Sequence, residues 1–324
     1  MMSARPAPRA NRCPRRPPRP RPARGAALLV AMVLVTVVTT LAAGMVWQQW
    51  RAAEVEAAER ARIQAAWVLL GAQDWARLIL REDARAGKPT SLTEPWATPL
   101  AEARLSTFLA ADREHTDDSA AEAFLSGQID DAQSRYNLRN LVVEAKVPPE
   151  QLAILERLCL QVGLGPDSAK LIASQWLLAV AGGRDAPLQP LQIDDLAWFG
   201  LPPSAIAKLR PVLVILPVPT PVNLNTAPRQ VLASVVPGLD LGGADRLLQK
   251  RQSAPLRDLE EARIALGLTA PLVARDLGVQ SAFFEVRGRM RLDERVLDSV
   301  ALVERRNGLD IVAINRLVRP APTP

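Results

Sequence analysis

AALLVAMVLVTVVTTLAAGMVW, from Ala26 to Trp47, is the stretch that decides the architecture of this chain. Its 22 residues carry no charge, and as an α-helix they would span roughly 33 Å, about the thickness of a bilayer's hydrocarbon core. The eight arginines of residues 1–25 precede it, and three glutamates follow within the next dozen residues. Because positive charge stays on the cytoplasmic side, the sequence predicts a single-pass membrane helix with a cytoplasmic N-terminus and an exported remainder.

A cleaved secretory signal peptide is the alternative interpretation of this stretch. Ala42-Ala43-Gly44 resembles the small-residue cleavage site of such a peptide. A signal peptide, however, has an apolar region of only about 7–15 residues. Here the apolar run continues into Met45-Val46-Trp47 and then into a long helical segment. The pattern therefore favours a retained anchor.

Charge and composition exclude several classes of function. The net charge is +6, but removing residues 1–25 takes it to −2, so the rest lacks the basic surface that nucleic-acid binding requires. Two cysteines and one histidine, His115, exclude four-cysteine and histidine-rich metal sites. No nucleophile-elbow or phosphate-loop motif occurs. A carboxylate-based envelope hydrolase remains as an alternative, but its candidate pairs, Asp130-Asp131 and Asp194-Asp195, are more typical of solvated loops.

The leader, residues 1–25, contains seven prolines and ends in Arg24-Gly25 directly before the apolar helix. This arrangement resembles a type IV prepilin leader. The resemblance implies that a membrane peptidase cuts between Gly25 and Ala26 and that the new N-terminus is methylated. Val30 then occupies mature position five, where ordinary pilins carry a glutamate that neutralises the N-terminal amine of a neighbouring subunit. A subunit with no other subunit above it needs no such carboxylate.

Residues 48–85 are predicted to continue the same helix until Gly87-Lys88-Pro89 ends it. The first half is polar, whereas apolar residues recur near helical spacing in the second half. We expect this apolar face to be buried, either against the chain's own sheet or in a bundle with other helices. Its members are Ile63, Trp67, Leu70, Leu78 and Ile79.

The segment SGQIDDAQSRYNLRNLV, residues 126–142, resembles a strand motif of protein K of the type II secretion system, a family of minor pseudopilins. That motif reads acidic-x-x-Gly-x-aromatic-Asn-Leu-Asn-x-Leu. Ser134 replaces its glycine, and Arg139-Asn140 stands where asparagine is usual. The residues that fit it are Asp131, Tyr136, Asn137, Leu138 and Leu141.

Two similar pieces indicate an internal repeat in the helical region that follows. VGLGPDSAKLI begins at residue 162 and PGLDLGGADRL at residue 237, and Gly163 precedes Ala169 by the same spacing as Gly238 precedes Ala244. They resemble helix-turn-helix units of the sterile-alpha-motif or helix-hairpin-helix type. The second unit contains an Asn-x-Asn-Thr-Ala segment whose residues are Asn223, Asn225, Thr226 and, one position further on, Pro228.

We expect Asn225 and Thr226 to cap a helix, with Pro228 in its first turn. The charge of the second unit argues against DNA binding. Asp240 lies in the turn that would present backbone N–H groups to a phosphate, and residues 219–272 hold six basic and five acidic side chains.

The C-terminal region is predicted to form about three antiparallel strands over residues 283–318. Residues 283–294 alternate apolar and polar side chains, which is typical of a half-buried strand. Asn307-Gly308 between two apolar runs predicts a tight hairpin turn. The polar face of the first strand carries three arginines that we expect to be solvated: Arg287, Arg289 and Arg291.

These features occur in the order found in the protein K family of the type II secretion system, over essentially the whole chain. The resemblance implies an α+β pseudopilin fold, in which an N-terminal transmembrane and spine helix packs on a small antiparallel sheet. A large helical domain of two sterile-alpha-motif-like or helix-hairpin-helix-like units is inserted in that sheet. The implied segments are the leader 1–25, the transmembrane helix 26–47, the spine helix and first strand 48–140, the helical units 141–218 and 219–272, and the final strands 273–324.

The resemblance also implies a function without enzymatic activity. The subunit would lie at the tip of a periplasmic pseudopilus and help to initiate its assembly for protein export across the outer membrane. Its partners would be other minor pseudopilins, the inner-membrane secretion machinery and the prepilin peptidase, and its location would be the inner membrane with a periplasmic domain. A membrane-anchored helix-hairpin-helix receptor for DNA uptake is the alternative. It shares the anchor but does not account for the terminal strands.

The resemblance implies no cofactor except calcium, which some family members bind. Calcium prefers oxygen ligands, but no twelve-residue calcium-loop pattern is present. We therefore assign no ligand set. The acidic residues that could supply oxygens are Asp112, Asp117, Asp118, Asp130 and Asp131.

Overall fold

The computed structural model describes residues 24–105, 123–292, 295–306 and 310–320. The helices are α1 (Arg24–Arg85), α2 (Pro149–Gln161), α3 (Pro166–Ala181), α4 (Pro203–Leu209), α5 (Arg229–Val235), α6 (Leu241–Ser253) and α7 (Leu259–Leu266). The strands are β1 (Leu100–Arg104), β2 (Ala123–Asp131), β3 (Tyr136–Asn137), β4 (Leu213–Val214), β5 (Val222–Asn223), β6 (Leu277–Gly278), β7 (Phe283–Leu292), β8 (Arg295–Arg306) and β9 (Asp310–Pro320).

The chain forms two compact units, which divide at residue 60 within α1. Among the described residues, α1 is the helix that is long and apolar enough to cross a membrane. Hydroxyl groups in its apolar part are satisfied internally, since Thr36, Thr39 and Thr40 donate to backbone carbonyls three or four residues earlier. A helix in lipid must satisfy its polar groups in this way. The prediction of one uninterrupted helix that ends before Gly87 is confirmed.

Five antiparallel strands form the main sheet in the second unit, in the order β1-β2-β7-β8-β9. Along β7, Phe284, Val286 and Met290 are buried, whereas Arg287 and Arg289 point to the opposite, exposed face. The alternation predicted for this region and its three antiparallel strands are confirmed. The predicted turn at residues 307–308 lies outside the described residues.

The sheet-facing side of α1 in this unit is made of small and polar residues as well as leucines. Ala65, Leu69, Ala76 and Leu80 are buried at helical spacing, and Gln73 donates from Nε2 to the hydroxyl of Ser299 on β8 at 2.5 Å. Small residues allow the helix axis to approach the sheet closely. Burial of this side gives the helix a fixed face toward the sheet.

Of the two options predicted for the apolar face of α1, the chain's own sheet does not bury its bulkiest members. Ile63 is 55% exposed, Trp67 68% and Leu78 47%, because they project from the side of the helix away from the sheet. Leu70 and Ile79 are half-buried, and Ile79 packs against the sheet core. The apolar spacing marks a real face of the helix, but the sheet does not cover it.

Residues 132–282 are inserted between β2 and β7, which are neighbours in the sheet. They enclose a separate core in which α2 packs on α3, α5 on α6, and α2 on α5. The two similar sequence pieces occupy equivalent positions: Gly163 and Gly238 take φ of 71° and 75° in the turns. The alanines that follow, Ala169 and Ala244, are both fully buried.

The predicted caps of the second unit are wrong. Helix α5 begins after Pro228, which lies at the N-cap position rather than in the first turn and makes no side-chain cap bond. Asn225 and Thr226 do not cap it, because their side chains are buried and take tertiary hydrogen bonds instead. These bonds build the site described next.

Candidate functional site

A buried carboxylate, Asp131, lies where β2 ends and the inserted region begins, and only 3% of the residue is exposed. Its Oδ2 accepts hydrogen bonds from Nδ2 of Asn223 at 3.0 Å, from the hydroxyl of Thr226 at 2.5 Å and from the hydroxyl of Ser281 at 2.6 Å. Its Oδ1 accepts from the backbone N–H of Gln133 at 2.8 Å. One carboxylate thus gathers donors from three separate parts of the sequence.

Burial raises the pKa of Asp131, because it removes the carboxylate from water. The hydrogen bonds from Ser281, Thr226, Gln133 and Asn223 act in the opposite direction and lower the pKa, but burial outweighs them. All four donors are neutral groups. The acceptor capacity of the carboxylate is thereby used within the protein, which suits a structural role better than metal binding or proton transfer.

The Asn-x-Asn-Thr-Ala segment supplies the other side of this junction. Asn223 also donates to the carbonyl of Thr90 at 3.1 Å and accepts from the backbone N–H of Asn225 at 3.0 Å. The Asn225 amide exchanges two hydrogen bonds with the backbone of Leu256, at 2.9 and 2.8 Å. The side chains of Asn223 and Asn225 therefore hydrogen-bond to two different pieces of backbone.

The remaining residues of the strand motif lead from this junction into the inserted core. The Tyr136 hydroxyl donates to Oε1 of Gln151 at 2.7 Å, and burial raises the pKa of Tyr136, so the phenol stays a donor. Asn137 accepts from the backbone N–H of Leu216 at 3.1 Å. Leu138 and Leu141 are fully buried. Ser281 and Thr90 were missed from the sequence, because both lie in connecting segments without a pattern.

The acidic residues considered for calcium do not form a cluster in the part of the chain that the structure describes. No group of three or more acidic, histidine or cysteine side chains that could hold a metal ion occurs among the described residues. Asp130 lies 3.4 Å from Nε of Arg287 and accepts from Gln128 at 2.8 Å. The three other candidates, Asp112, Asp117 and Asp118, lie outside the described residues.

The turn of the second helical unit is closed to phosphate. Asp240 is the N-cap of α6, and its Oδ1 accepts from the N–H of Gly243 at 2.6 Å. A helix N-terminus attracts anions through such N–H groups, but here a carboxylate already occupies that position. Arg229 in turn pairs with Asp245 at 3.0 Å. The geometry opposes DNA binding by this unit.

Large apolar side chains are exposed on α1, on the side away from the sheet. We define the outer stripe as Ile63, Trp67, Trp75 and Leu78, each about half exposed or more. A groove of about 620 Å³ adjoins it, between Trp75 and strands β1, β2 and β7. Exposed apolar residues at regular spacing on one helix mark a protein-interaction surface better than scattered surface leucines do.

The residues assigned to processing and anchoring lie at the start of α1. Gly25 and Ala26 belong to its first turn, and Val30 follows one turn later. Trp47 ends the apolar run, and the guanidinium of Arg51 lies over its ring at 5.7 Å from the centroid. Tryptophan and arginine are typical of the membrane–water boundary.

Comparison with known proteins points to one family. The family model "Type II secretion system (T2SS), protein K" matches residues 222–280, the segment that begins one residue before Asn223 and ends one residue before Ser281. The type II secretion system protein K of Pseudomonas aeruginosa is 25% identical over 296 residues, which cover 82% of this chain and 84% of that protein.

A solved structure shares the fold. It is a chain of the crystal structure of the GspK-GspI-GspJ complex from the type 2 secretion system of enterotoxigenic Escherichia coli, with a TM-score of 0.60 and 19% identity. The match covers 81% of this chain and 98% of that chain. These findings confirm the resemblance that the sequence motifs indicated.

Proposed function

We propose that this chain, a relative of type II secretion system protein K, is the non-enzymatic minor pseudopilin at the tip of a periplasmic pseudopilus. The observation that carries the proposal is the outer stripe. The sheet buries one face of α1, whereas the opposite face exposes Ile63, Trp67, Trp75 and Leu78. Exposed apolar side chains do not stabilise a monomer in water, whereas their burial between helices would stabilise a bundle of subunits.

The partner that fits the stripe is another pilin-like subunit. Helix α1 is continuous from the candidate membrane span to Arg85, so a second subunit anchored by a similar helix would rise from the same membrane beside it. The related solved structure is a complex of three proteins, GspK, GspI and GspJ. We infer that other minor pseudopilins pack along the outer stripe.

The position at the tip is supported by two features. Val30, at mature position five, offers no carboxylate to the amine of a subunit above. The insertion of residues 132–282 adds a second core beyond what a five-stranded sheet requires, and we propose that its bulk prevents another subunit from stacking there. In this role the chain helps to initiate pseudopilus assembly.

We further propose that the insertion consists of two helix-hairpin-helix-like or sterile-alpha-motif-like units, at residues 141–218 and 219–272. The equivalent turns at Gly163 and Gly238 support this. The units would serve packing and protein contacts. The DNA-uptake alternative has no such support, because Asp240 caps the turn that would hold a phosphate.

Processing and location follow from the same proposal. A prepilin peptidase would cut between Gly25 and Ala26, the anchor would lie in the inner membrane with its N-terminus in the cytoplasm, and the remainder would be periplasmic. The inner-membrane secretion machinery would be the further partner. No cofactor enters the proposal, and calcium binding stays a prediction without assigned ligands.

The test is co-purification of the full chain from membranes with co-expressed minor pseudopilins. We expect those subunits to be retained by the wild-type chain and lost by Trp67→Ala and Ile63→Ala. Leu92→Ala is the matched control, because Leu92 is an exposed apolar residue, at 53%, in the segment between α1 and β1 and outside the inserted region. Equal retention by all the variants would contradict the outer stripe as the assembly surface.

A further inference from the structure

We propose that Asp131 is the positioning residue that fixes the inserted helical region on the sheet. The chain passes between the two only at the ends of β2 and β7, after Asp131 and before Phe283. Two adjacent strand ends can act as a hinge, since backbone connections alone leave the angle of an inserted domain open. The angle is fixed by the contacts around these two strand ends, at Asp131 and Phe283, which we call the neck.

The donors around Asp131 come from separate parts of the inserted region, residues 132–282. Asn223 and Thr226 belong to the inserted region, and Ser281 lies in the connection back to β7. Asn223 in addition reaches the carbonyl of Thr90, in the segment that follows α1. Asp131 is the last residue of β2, so its carboxylate joins Asn223, Thr226 and Ser281 to the end of a strand of the sheet.

Other polar contacts also join the inserted region to the sheet, among them the ion pair between Arg135 and Glu285 of β7 at 2.7 Å. The side chain of Gln133 donates to the carbonyl of Pro221 at 3.0 Å and accepts from the N–H of Ala282 at 2.6 Å. Its own backbone N–H is held by Asp131. A small apolar cluster at the neck includes Ala132 and Phe283. Asp131→Asn would replace one of the two acceptor oxygens with an NH2 group, which would face buried donors instead of accepting from them.

The experiment is hydrogen exchange of the full chain in detergent, with Asp131→Asn and Ser281→Ala compared with wild type. We expect amides at the neck, those of Gln133, Ala282 and Thr90, to exchange about tenfold faster or more in Asp131→Asn. The amides inside β7, β8, α2 and α3 should keep their protection. Ser281→Ala removes a single donor and should accelerate the same neck amides by a smaller factor.

Asp130→Asn is the matched control, because Asp130 is the neighbouring carboxylate on the same strand and faces the exposed side toward Arg287. It should leave the neck amides unchanged. Unchanged neck exchange in Asp131→Asn, or equal acceleration throughout both cores, would overturn the proposal. Since the measurement requires no partner, its result is independent of the proposed assembly function.

Discussion

Thr226 donates its hydroxyl to the carboxylate of Asp131 at 2.5 Å, across 95 residues of sequence. The contact joins the two motifs that the sequence shows separately, the strand motif and the Asn-x-Asn-Thr-Ala segment. Both residues are buried, so the bond is shielded from water on both sides. The chain thereby connects its sheet to its inserted helices through Thr226, a side chain that the sequence suggests as a helix cap.

Removal of this hydroxyl should destabilise the fold. Thr226→Val keeps the shape of the side chain but deprives Asp131 of one donor, and we expect a loss of about 1–3 kcal/mol in the free energy of unfolding. Thermal unfolding followed by circular dichroism measures it. Thr98→Val, at an exposed threonine, is the control and should change the midpoint little. A midpoint equal to wild type for Thr226→Val would show that the bond contributes nothing.

A glycine on β7 sets how closely α1 approaches the sheet. A Cβ added at Gly288 would lie 3.1 Å from Cδ2 of Leu69, so Gly288→Ala should cost about 1–3 kcal/mol through overpacking. Gly71→Ala is the matched control, because a Cβ there meets nothing within 4 Å and alanine favours the helix by roughly 0.5–1 kcal/mol. If both variants unfold at the wild-type temperature, the helix and sheet are not in close contact.

The ion pair between Glu285 and Arg135 predicts sensitivity to acid. Burial acts to raise the pKa of Glu285, but attraction and hydrogen bonds from Arg135 and Arg287 outweigh it and hold that pKa below its ordinary value of 4.5. A depressed carboxyl pKa contributes stability above its ordinary value and loses it as the pH falls through the folded-state pKa.

Unfolding midpoints measured between pH 7 and pH 3 test this sign. The wild-type midpoint should fall below about pH 4.5, and Arg135→Gln should reduce the size of that fall, since Glu285 then loses its main partner. A larger acid-induced fall in Arg135→Gln than in wild type would contradict the assignment.

Much of the fold follows from the sequence, for physical reasons that can be named. The length of the uncharged run predicts a helix long and apolar enough to cross a membrane, and the alternation at residues 283–292 predicts the half-buried strand β7. The repeat of Gly163 and Gly238 predicts equivalent turns. In these cases the local pattern and the tertiary environment agree.

The failures are equally specific. Helix α1 has two apolar sides, and spacing alone does not tell which of them meets the sheet. The sheet packs against the side with Ala65, Ala76 and Gln73, where small residues permit close approach, so the bulky Ile63 and Trp67 remain outside. Asn225 and Thr226 failed as caps because their partners are distant in sequence, and capping propensity describes only local bonds.

Processing offers a test of the leader. N-terminal sequencing of the chain extracted from membranes should begin at Ala26, and its amine should be methylated. Val30→Glu should not improve assembly, because the proposed topmost subunit has no neighbouring amine above it. A mature chain that begins near Met45, or an intact Met1, would contradict the prepilin assignment.

The copy number of this chain in the assembled complex tests the central claim most directly. Native mass spectrometry of the detergent-solubilised complex, purified through a tag on this chain, measures it. The tip assignment predicts one copy of this chain together with other minor pseudopilins in each complex. Several copies in one complex, or a homopolymer of this chain without the other subunits, would contradict it.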